Sequence, residues 1–476
     1  MAKVVFLQDL LYEHLGTMYI SSVLKKNSHR CDIFIDGADR NIINKCIKAK
    51  PDIVAFSITT GNQKWVLKTA KLIKNKLKDS IIIVGGPHPT YFPEIINSGY
   101  IDIVCRGEGE YAFLELANKL DQKEDITKIK NLWVKKGKKI YRNGFRRLIE
   151  NLDELPFPDR ELYYKYKKLR INPQKRFMTS RGCPYNCSFC FNHVLRTLYK
   201  DNGRYVRKRS VENVIREIEY VKNKYGIKTV YFDDDTFILD RKWVMEFLKI
   251  YKQRVNLPFI CLVRIDLVTE DLIKAFKESK CKSVFFGIET GNEKLRNKLL
   301  NKNLSNKAII RTAKLLKKYK IKFKTYNMLG LPDETLEDAM MTVKLNARIK
   351  TDYPWCSIFQ PYPGTKLGDY TIEKGYLKEE FNYNDIVPYY SKSLLVNKKN
   401  INEIINLQRL FFYGVKFPFL IPLIRKLIML PPNFIFGFLF IMGYAYTYLG
   451  SEHISIINSF KIGLESISRL FYNKGD

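Results

Sequence analysis

Short apolar runs alternate with helically spaced segments over the first 125 residues. The runs lie at 4–7, 33–35, 53–56, 81–84 and 101–105, and Trp65, Val66, Ala70, Ile73 and Leu77 typify the spacing between them. Continuous apolar strands separated by helices predict a parallel sheet covered on both faces. Ligands of such sheets bind at the carboxyl ends of the strands. Those ends carry Ser57-Ile58-Thr59-Thr60-Gly61, Gly85-Gly86-Pro87-His88-Pro89-Thr90 and Arg106-Gly107-Glu108-Gly109-Glu110. Tight turns alone explain the glycines of any one loop. Three such loops at successive strand ends point to a ligand site, because glycine lets the backbone approach a large molecule. Ser57, Thr59, Thr60, Gly61, Gly85, Gly86, Pro87, His88, Gly107 and Glu108 are the candidate contacts.

Residues 126–176 read as a connector, with a hairpin around Lys136-Gly137 and an extended Leu155-Pro156-Phe157-Pro158-Asp159. From 177 to 365 the β/α alternation resumes. Strands are expected at 176–179, 229–232, 259–263, 283–286, 322–327 and 357–360. Six β/α units make three-quarters of a (β/α)8 barrel, whose active sites lie at the strand C-termini. Residues 366–476 lose the alternation and read as apolar, aromatic helices.

Composition narrows the class. Of 476 residues, 46% are hydrophobic and 28% charged, which excludes wholesale disorder. The balance of 82 basic against 49 acidic residues gives a formal charge of +33. That suits an anionic surface, but the lysines are spread along the chain, as solvated faces also require. The opening Lys3-Val4-Val5-Phe6-Leu7 is followed at once by Gln8 and Asp9, unlike a signal peptide. A cytoplasmic, reducing setting is therefore expected. There, three of the nine cysteines within eight residues mean metal or redox chemistry rather than disulfides.

That group is Cys183-Pro184-Tyr185-Asn186-Cys187-Ser188-Phe189-Cys190, directly after the first barrel strand. Three thiolates on one loop suit three corners of a [4Fe–4S] cluster with one iron left open. They also suit a zinc ion if His193 supplies a fourth ligand.

The cysteine spacing resembles the signature of the radical S-adenosylmethionine (SAM) enzymes, and residues 1–370 are similar to the branch with an N-terminal cobalamin-binding domain. The resemblance extends through Leu155-Pro156, Phe232-Asp233-Asp234-Asp235-Thr236-Phe237, Arg264 with Asp266, Phe286-Gly287-Ile288-Glu289-Thr290-Gly291, Met328-Leu329-Gly330-Leu331-Pro332 and Pro361-Tyr362-Pro363-Gly364-Thr365. It implies an α/β chain in four parts. These are a Rossmann-like cobalamin-binding sheet (1–125), a connector (126–176), a partial (β/α)6 barrel (177–365) and a helical C-terminal region (366–476). Cys183, Cys187 and Cys190 would hold the cluster, and the open iron would take the amino and carboxylate groups of SAM. Reductive cleavage of the sulfonium would then yield a 5′-deoxyadenosyl radical. Phe189, Asp234, Asp235, Arg264, Glu289, Gly330 and Pro332 would contact SAM. Read without the resemblance, the aspartates could cap a helix, Arg264 and Asp266 could form a surface ion pair, and Glu289 could cap the helix that follows it.

The implied reaction is cobalamin-dependent methyl transfer to an unactivated carbon, with oxidative cyclisation or C–C bond formation as the alternative. The substrate would be a small or lipid-like molecule, and the electron donor a flavodoxin or ferredoxin; nucleic acid is not expected. The D-x-H-x-x-G motif that supplies a cobalt-ligating histidine elsewhere is absent; the resemblance implies base-off cobalamin without a protein histidine, and a degenerate domain that binds none is the alternative. Two further readings stay open. A methylthiotransferase would need a second cluster on Cys31, Cys46 and Cys105, and a sensor would bind cofactor without catalysis.

The 427–451 stretch has no charged residue, and Pro431-Pro432-Asn433 leaves only 17 residues up to Gly450. A span needs about 20. Aromatic residues beside Lys416, Arg425 and Lys426 fit either peripheral contact with an anionic membrane or a helical cap on the barrel.

Overall fold

The alternation of the first 125 residues produces the expected parallel sheet. The computed structural model describes residues 1–378, 380–382, 386, 392–396 and 398–452. Strands β1 (Lys3–Gln8), β2 (Arg30–Ile35), β3 (Ile53–Ser57), β4 (Ile81–Gly85) and β5 (Ile103–Cys105) run parallel in the order 2-1-3-4-5. Strand order reverses between β1 and β3, so the binding crevice of this topology opens there and along the neighbouring strand ends. Successive side chains point to opposite faces. Phe6, Ala55 and Ile83 pack under the helices Leu15–Lys26 and Glu110–Asp121, while Leu7, Phe56 and Val84 pack on the face of Gln63–Lys74. The connector hairpin forms, as β6 (Leu132–Lys136) and β7 (Lys139–Arg142). It pairs antiparallel with β5 and so extends the N-terminal sheet.

A short ribbon of β9 (Ser180–Arg181) and β10 (Arg207–Lys208) stands beside the second sheet. That sheet contains β8 (Gln174–Phe177), β11 (Thr229–Phe232), β12 (Phe259–Leu262), β13 (Cys281–Glu289), β14 (Lys322–Leu329) and β15 (Tyr353–Ile358). All six are parallel and adjacent in sequence order, with β8 and β15 at the open edges. The architecture is the partial barrel expected. Its outer face buries Val230, Phe232, Phe259, Val284 and Phe323 beneath the helices, and its inner face carries Tyr231, Ile260 and Phe285.

Two boundaries moved for physical reasons. The first strand starts at Gln174 because Lys175, though charged, is fully buried with its ammonium 4.1 Å from the Tyr164 ring centre and 3.6 Å from Glu13. The last starts at Tyr353 and includes Pro354, which an edge strand tolerates. The C-terminal region is helical in its described part, with Ile401–Lys416, Ile421–Leu427 and Phe434–Glu452 packed beside β14 and β15. Residues 453–476 of that expected region lie outside the described residues.

The connector is fastened to the barrel by a buried charge cluster. Arg160 donates to Glu217 at 2.9 Å, and Arg209 donates to the same carboxylate at 2.5 Å; all three side chains are at most 3% exposed. Glu217→Ala would leave two buried guanidinium groups without their shared anion. We expect it to cost about 3–5 kcal/mol, read as a lower midpoint in urea denaturation.

Candidate active site

The cysteine loop leaves β9 through Gly182, whose φ of +86° is a left-handed conformation and whose missing Cβ admits the Tyr205 carbonyl. Barrel contacts hold the loop. The Ser188 amide donates to Leu300 O at 3.0 Å, the Leu367 amide to Ser188 O at 2.9 Å, and the Cys190 amide to Cys187 O at 3.1 Å. All three cysteines are free thiols. Each sulfur has its own polar neighbour: Thr236 Oγ1 at 4.0 Å from Cys183, Arg264 Nη1 at 3.9 Å from Cys187 and Asn192 Nδ2 at 3.7 Å from Cys190. Burial pushes the Cys183 thiol up and that of Cys190 to about 11. Iron ligation would therefore release protons here.

The donor set fits a cluster better than zinc. Among the described residues, no three His, Cys, Asp or Glu side chains converge as a site for one ion. Three thiols spread along one loop instead suit the separated corners of a [4Fe–4S] cube. His193 is buried in the helix Phe191–Leu198, and its Nε2 lies 3.4 Å from the Lys366 amide, which donates to it.

The remaining SAM candidates divide. Asp235 stands exposed beside the loop. Asp234 does not: it is buried and accepts from the Thr179 amide at 3.2 Å, the Thr179 hydroxyl at 2.7 Å and the Ser180 hydroxyl. It ties β11 to the root of the cysteine loop and has no free face for a ligand, which corrects its expected SAM contact. Neither aspartate caps a helix; Asp240 caps Arg241–Arg254. Arg264 pairs with Asp266 at 2.8 Å, yet it is almost buried, lies 3.7 Å over the Tyr185 ring and donates to Lys302 O. It is a cation at a cluster ligand rather than a surface ion pair. Glu289 is buried at φ +68°, a strained position for a non-glycine residue, and pairs with Lys302 Nζ at 2.5 Å. Asn292, not Glu289, caps the next helix. Phe189 packs toward Leu300, Leu331 and Phe359, with Lys302 Nζ 5.8 Å from its ring centre. Gly330 and Pro332 are buried; the Gly330 amide donates to Glu334 at 2.6 Å, and Lys398 Nζ donates to Pro332 O at 3.2 Å. They shape the fifth-strand turn from beneath. Burial raises the Glu334 carboxyl to about 8.

The ends of the N-terminal strands face this loop across a cavity of about 350 Å³. Ser57, Gly85, Gly86, Pro87, Gly107 and Glu108 line it from the sheet, and Arg181, Gly182, Tyr199, Tyr205 and Arg207 from the barrel side. A slot continues inward between the sheet and its helices, past Gly16, Thr17, Ile20, Ala55, Ile83 and Phe113. Gly86 (φ +95°) and Gly107 (φ +72°) keep the rim low; a Cβ on Gly107 would collide with the Tyr199 hydroxyl. A flat macrocycle with a long side arm fits a glycine-rimmed chamber with an apolar slot. Thr59, Thr60, Gly61 and His88 do not line it. His88 is buried, with Nδ1 3.1 Å from Thr60 Oγ1 and its ring beside Phe92. The other three lie in the one strand-end loop after β3, with Thr59 exposed and Thr60 and Gly61 partly so.

Glu108 faces the chamber but is committed to protein. Arg181 donates to Glu108 at 2.8 Å and to Glu110 at 2.6 Å, Arg207 lies 2.9 Å from Glu108, and the Ile149 amide donates to it at 3.0 Å. Burial alone would raise the Glu108 carboxyl; Arg181 and Arg207 outweigh it and hold the pKa low. The residue before Gly182 is thus clamped to the N-terminal sheet. Pattern reading gave no role to Arg181, Arg207, Asn192 and Lys302, which have no local signature, nor to Thr236, which stands in the aspartate motif. Cys46 packs on one face of the N-terminal sheet and Cys31 and Cys105 on the other, so these three cannot share a second cluster.

Fold and site together define an α/β enzyme with a cysteine-loop cluster site facing a second cofactor chamber. The radical SAM superfamily model matches residues 177–345 and the B12-binding domain model residues 9–117. An uncharacterized methyltransferase of Pyrococcus horikoshii is 34% identical over 373 residues, covering 76% of this chain and 79% of the relative. The anaerobic magnesium-protoporphyrin IX monomethyl ester cyclase of Rubrivivax gelatinosus is 24% identical over 84% of this chain and 73% of its own. Among solved structures, the radical SAM methyltransferase TsrM from Kitasatospora setae, with cobalamin and a [4Fe–4S] cluster bound, superposes with a TM-score of 0.64 at 16% identity, over 80% of each chain. The chain belongs to the radical SAM superfamily, in its branch with a B12-binding domain. It is an enzyme whose cofactors are a [4Fe–4S] cluster, SAM and cobalamin.

Two outcomes follow. Anaerobic reconstitution should load about four irons and four sulfides per chain, lost in the Cys183/Cys187/Cys190→Ala variant; stoichiometric zinc would contradict this. Arg181→Met should leave Glu108 and Glu110 facing an apolar group. We expect several kcal/mol of destabilisation and faster limited proteolysis in the 126–176 connector.

Proposed function

We propose that the chain transfers a methyl group from cobalamin to an unactivated carbon of a small, hydrophobic or lipid-like substrate. The observation that carries this reading is the single chamber lined from both sides. Gly85, Gly86 and Gly107 edge it on the B12-binding sheet, and Arg181, Gly182 and Tyr205 edge it beside the cysteine loop. The methyltransferase relative covers 79% of its own length with this chain and supports the same reading.

When bound, the cluster and SAM supply a radical able to take a hydrogen atom from carbon, and cobalamin supplies the methyl group. The chain's share is placement and exclusion of water. Cys183, Cys187 and Cys190 hold the cluster, with Arg264 balancing charge at Cys187. Asp235 and the Glu289–Lys302 pair offer one anion and one ion pair to the polar groups of SAM, beside the apolar face of Phe189. The buried Glu289–Lys302 pair is fixed in advance and loses little on binding. Ser57, Gly85, Gly86, Pro87 and Gly107 would hold cobalamin, and the slot past Gly16 would take its nucleotide arm; among the described residues no histidine lines the chamber. Tyr91, Tyr199 and Tyr205 line the chamber with aromatic rings. A cytoplasmic flavodoxin or ferredoxin supplies electrons. Oxidative cyclisation is the alternative, favoured by the likeness to the Rubrivivax gelatinosus enzyme.

Gly16 lines the slot with open space around its Cβ position, so Gly16→Leu should fold normally. We expect it to cut cobalamin retention at least about tenfold, roughly 1.4 kcal/mol, with cluster absorbance unchanged. Retention equal to wild type would show that the arm lies elsewhere. Deleting the gene and comparing lipid and metabolite masses tests the reaction itself. Loss of species one CH2 heavier than an accumulating precursor supports methylation; a product two hydrogens lighter supports cyclisation.

A further inference from the structure

Exposed apolar side chains are concentrated in one region. Among the described residues, ten of the nineteen large hydrophobic side chains on the surface fall between Phe417 and Tyr446. Phe419 and Phe434 are each 76% exposed and Met429 64%, with Leu423, Leu430, Ile435, Phe438 and Met442 about half exposed. Each such side chain gains roughly 1.5–3 kcal/mol on full burial. Contiguous patches of this kind mark interaction surfaces.

The helix Phe434–Glu452 is long and apolar enough to cross a bilayer, with a mean hydropathy of 1.4 over Phe434–Ser451. One side of it is already occupied by protein. Phe436 is buried with Leu407 and Phe411, Gly443 abuts Phe412, Tyr444 lies 4.8 Å from Trp355, Thr447 donates to Pro354 O at 3.3 Å, and Gly450 abuts Tyr353. A helix fixed along the barrel wall cannot be ringed by lipid. Its other side shows Phe434, Ile435, Phe438 and Met442, a stripe at helical spacing. The charge there has one sign. No acidic residue occurs from 404 to 451, while Arg409, Lys416, Arg425 and Lys426 do. Arg425 is balanced by Glu337 from the neighbouring helix and Lys416 feels the Asp352 carboxylate, while Arg409 donates to the Asn433 carbonyl and Lys426 stands exposed.

We propose that this face binds monotopically to an anionic phospholipid leaflet. The stripe of Phe419, Leu423, Met429, Phe434, Ile435 and Phe438 enters the headgroup–acyl boundary, and the helix Phe434–Glu452 lies against the barrel without spanning. Apolar insertion flanked by cations is the physics of interfacial segments. The proposal deepens the reading of a lipid-like substrate, and its test measures binding rather than chemistry.

The full-length, reconstituted protein is floated with vesicles of phosphatidylcholine alone or mixed with phosphatidylglycerol. The wild type should float with the anionic vesicles, more weakly at high salt, and be stripped by alkaline carbonate. The Phe419→Glu/Phe434→Glu/Phe438→Glu variant, altered only at exposed positions, should bind at least about tenfold more weakly. Four results would overturn the proposal: no flotation of the wild type, equal flotation of the variant, resistance to carbonate as for a spanning helix, or a wild-type dimer that the variant breaks. Cluster and cobalamin absorbance on the same samples keeps this outcome separate from the proposed function.

Discussion

Two arginines and two glutamates set the geometry on which the enzyme depends. Arg181 sits two residues before Cys183 and donates to Glu108 and Glu110, which follow the fifth strand of the B12-binding sheet; Arg207 closes on Glu108 from the paired ribbon. The four side chains are between 4% and 15% exposed, so the pairs act at low dielectric and breaking one leaves a costly buried charge. Two cofactors can act on one substrate only if their sites open toward one volume. The clamp makes the root of the cysteine loop and the glycine rim of the sheet a single rigid unit around that volume.

The chamber then follows from small residues at backbone positions that tolerate no others. Gly86, Gly107 and Gly182 all have positive φ and a neighbour where a Cβ would stand. Each brings a strand end or loop close to the cavity without a side chain in the way. Around the thiols the polar groups are fixed in advance: Thr236, Arg264 and Asn192 each stand beside one sulfur, and Lys302 links Arg264 to Glu289. Such preorganisation is what a site must supply when the cofactors carry the chemistry.

Much of this was legible in the chain. Apolar runs and Gly-rich strand ends are local patterns, and they predicted both sheets, the loops of the chamber and the cysteine loop. The misses were of long-range origin. Lys175 hid the first barrel strand because its partners, Glu13 and Tyr164, lie far away in sequence. Asp234 and Asp235 are neighbours in one motif, yet the first is consumed by Thr179 and Ser180 and only the second stays open. Thr59, Thr60, Gly61 and His88 lie in the right loops but not among the residues that line the chamber, which no periodicity reveals. The Arg181 clamp spans more than 70 residues of sequence. A pairing of that range leaves no local pattern.

The central claim is that the cobalamin chamber opens beside the cluster-bearing cysteine loop. A crystal structure of the anaerobically reconstituted protein with cobalamin and SAM, phased at the iron and cobalt edges, tests it most directly. The predicted result is iron at Cys183, Cys187 and Cys190 and cobalt in the neighbouring cavity bordered by Gly86, Gly107 and Tyr205, with no histidine ligand. Cobalt absent, ligated by His88, or lying outside that cavity would contradict it.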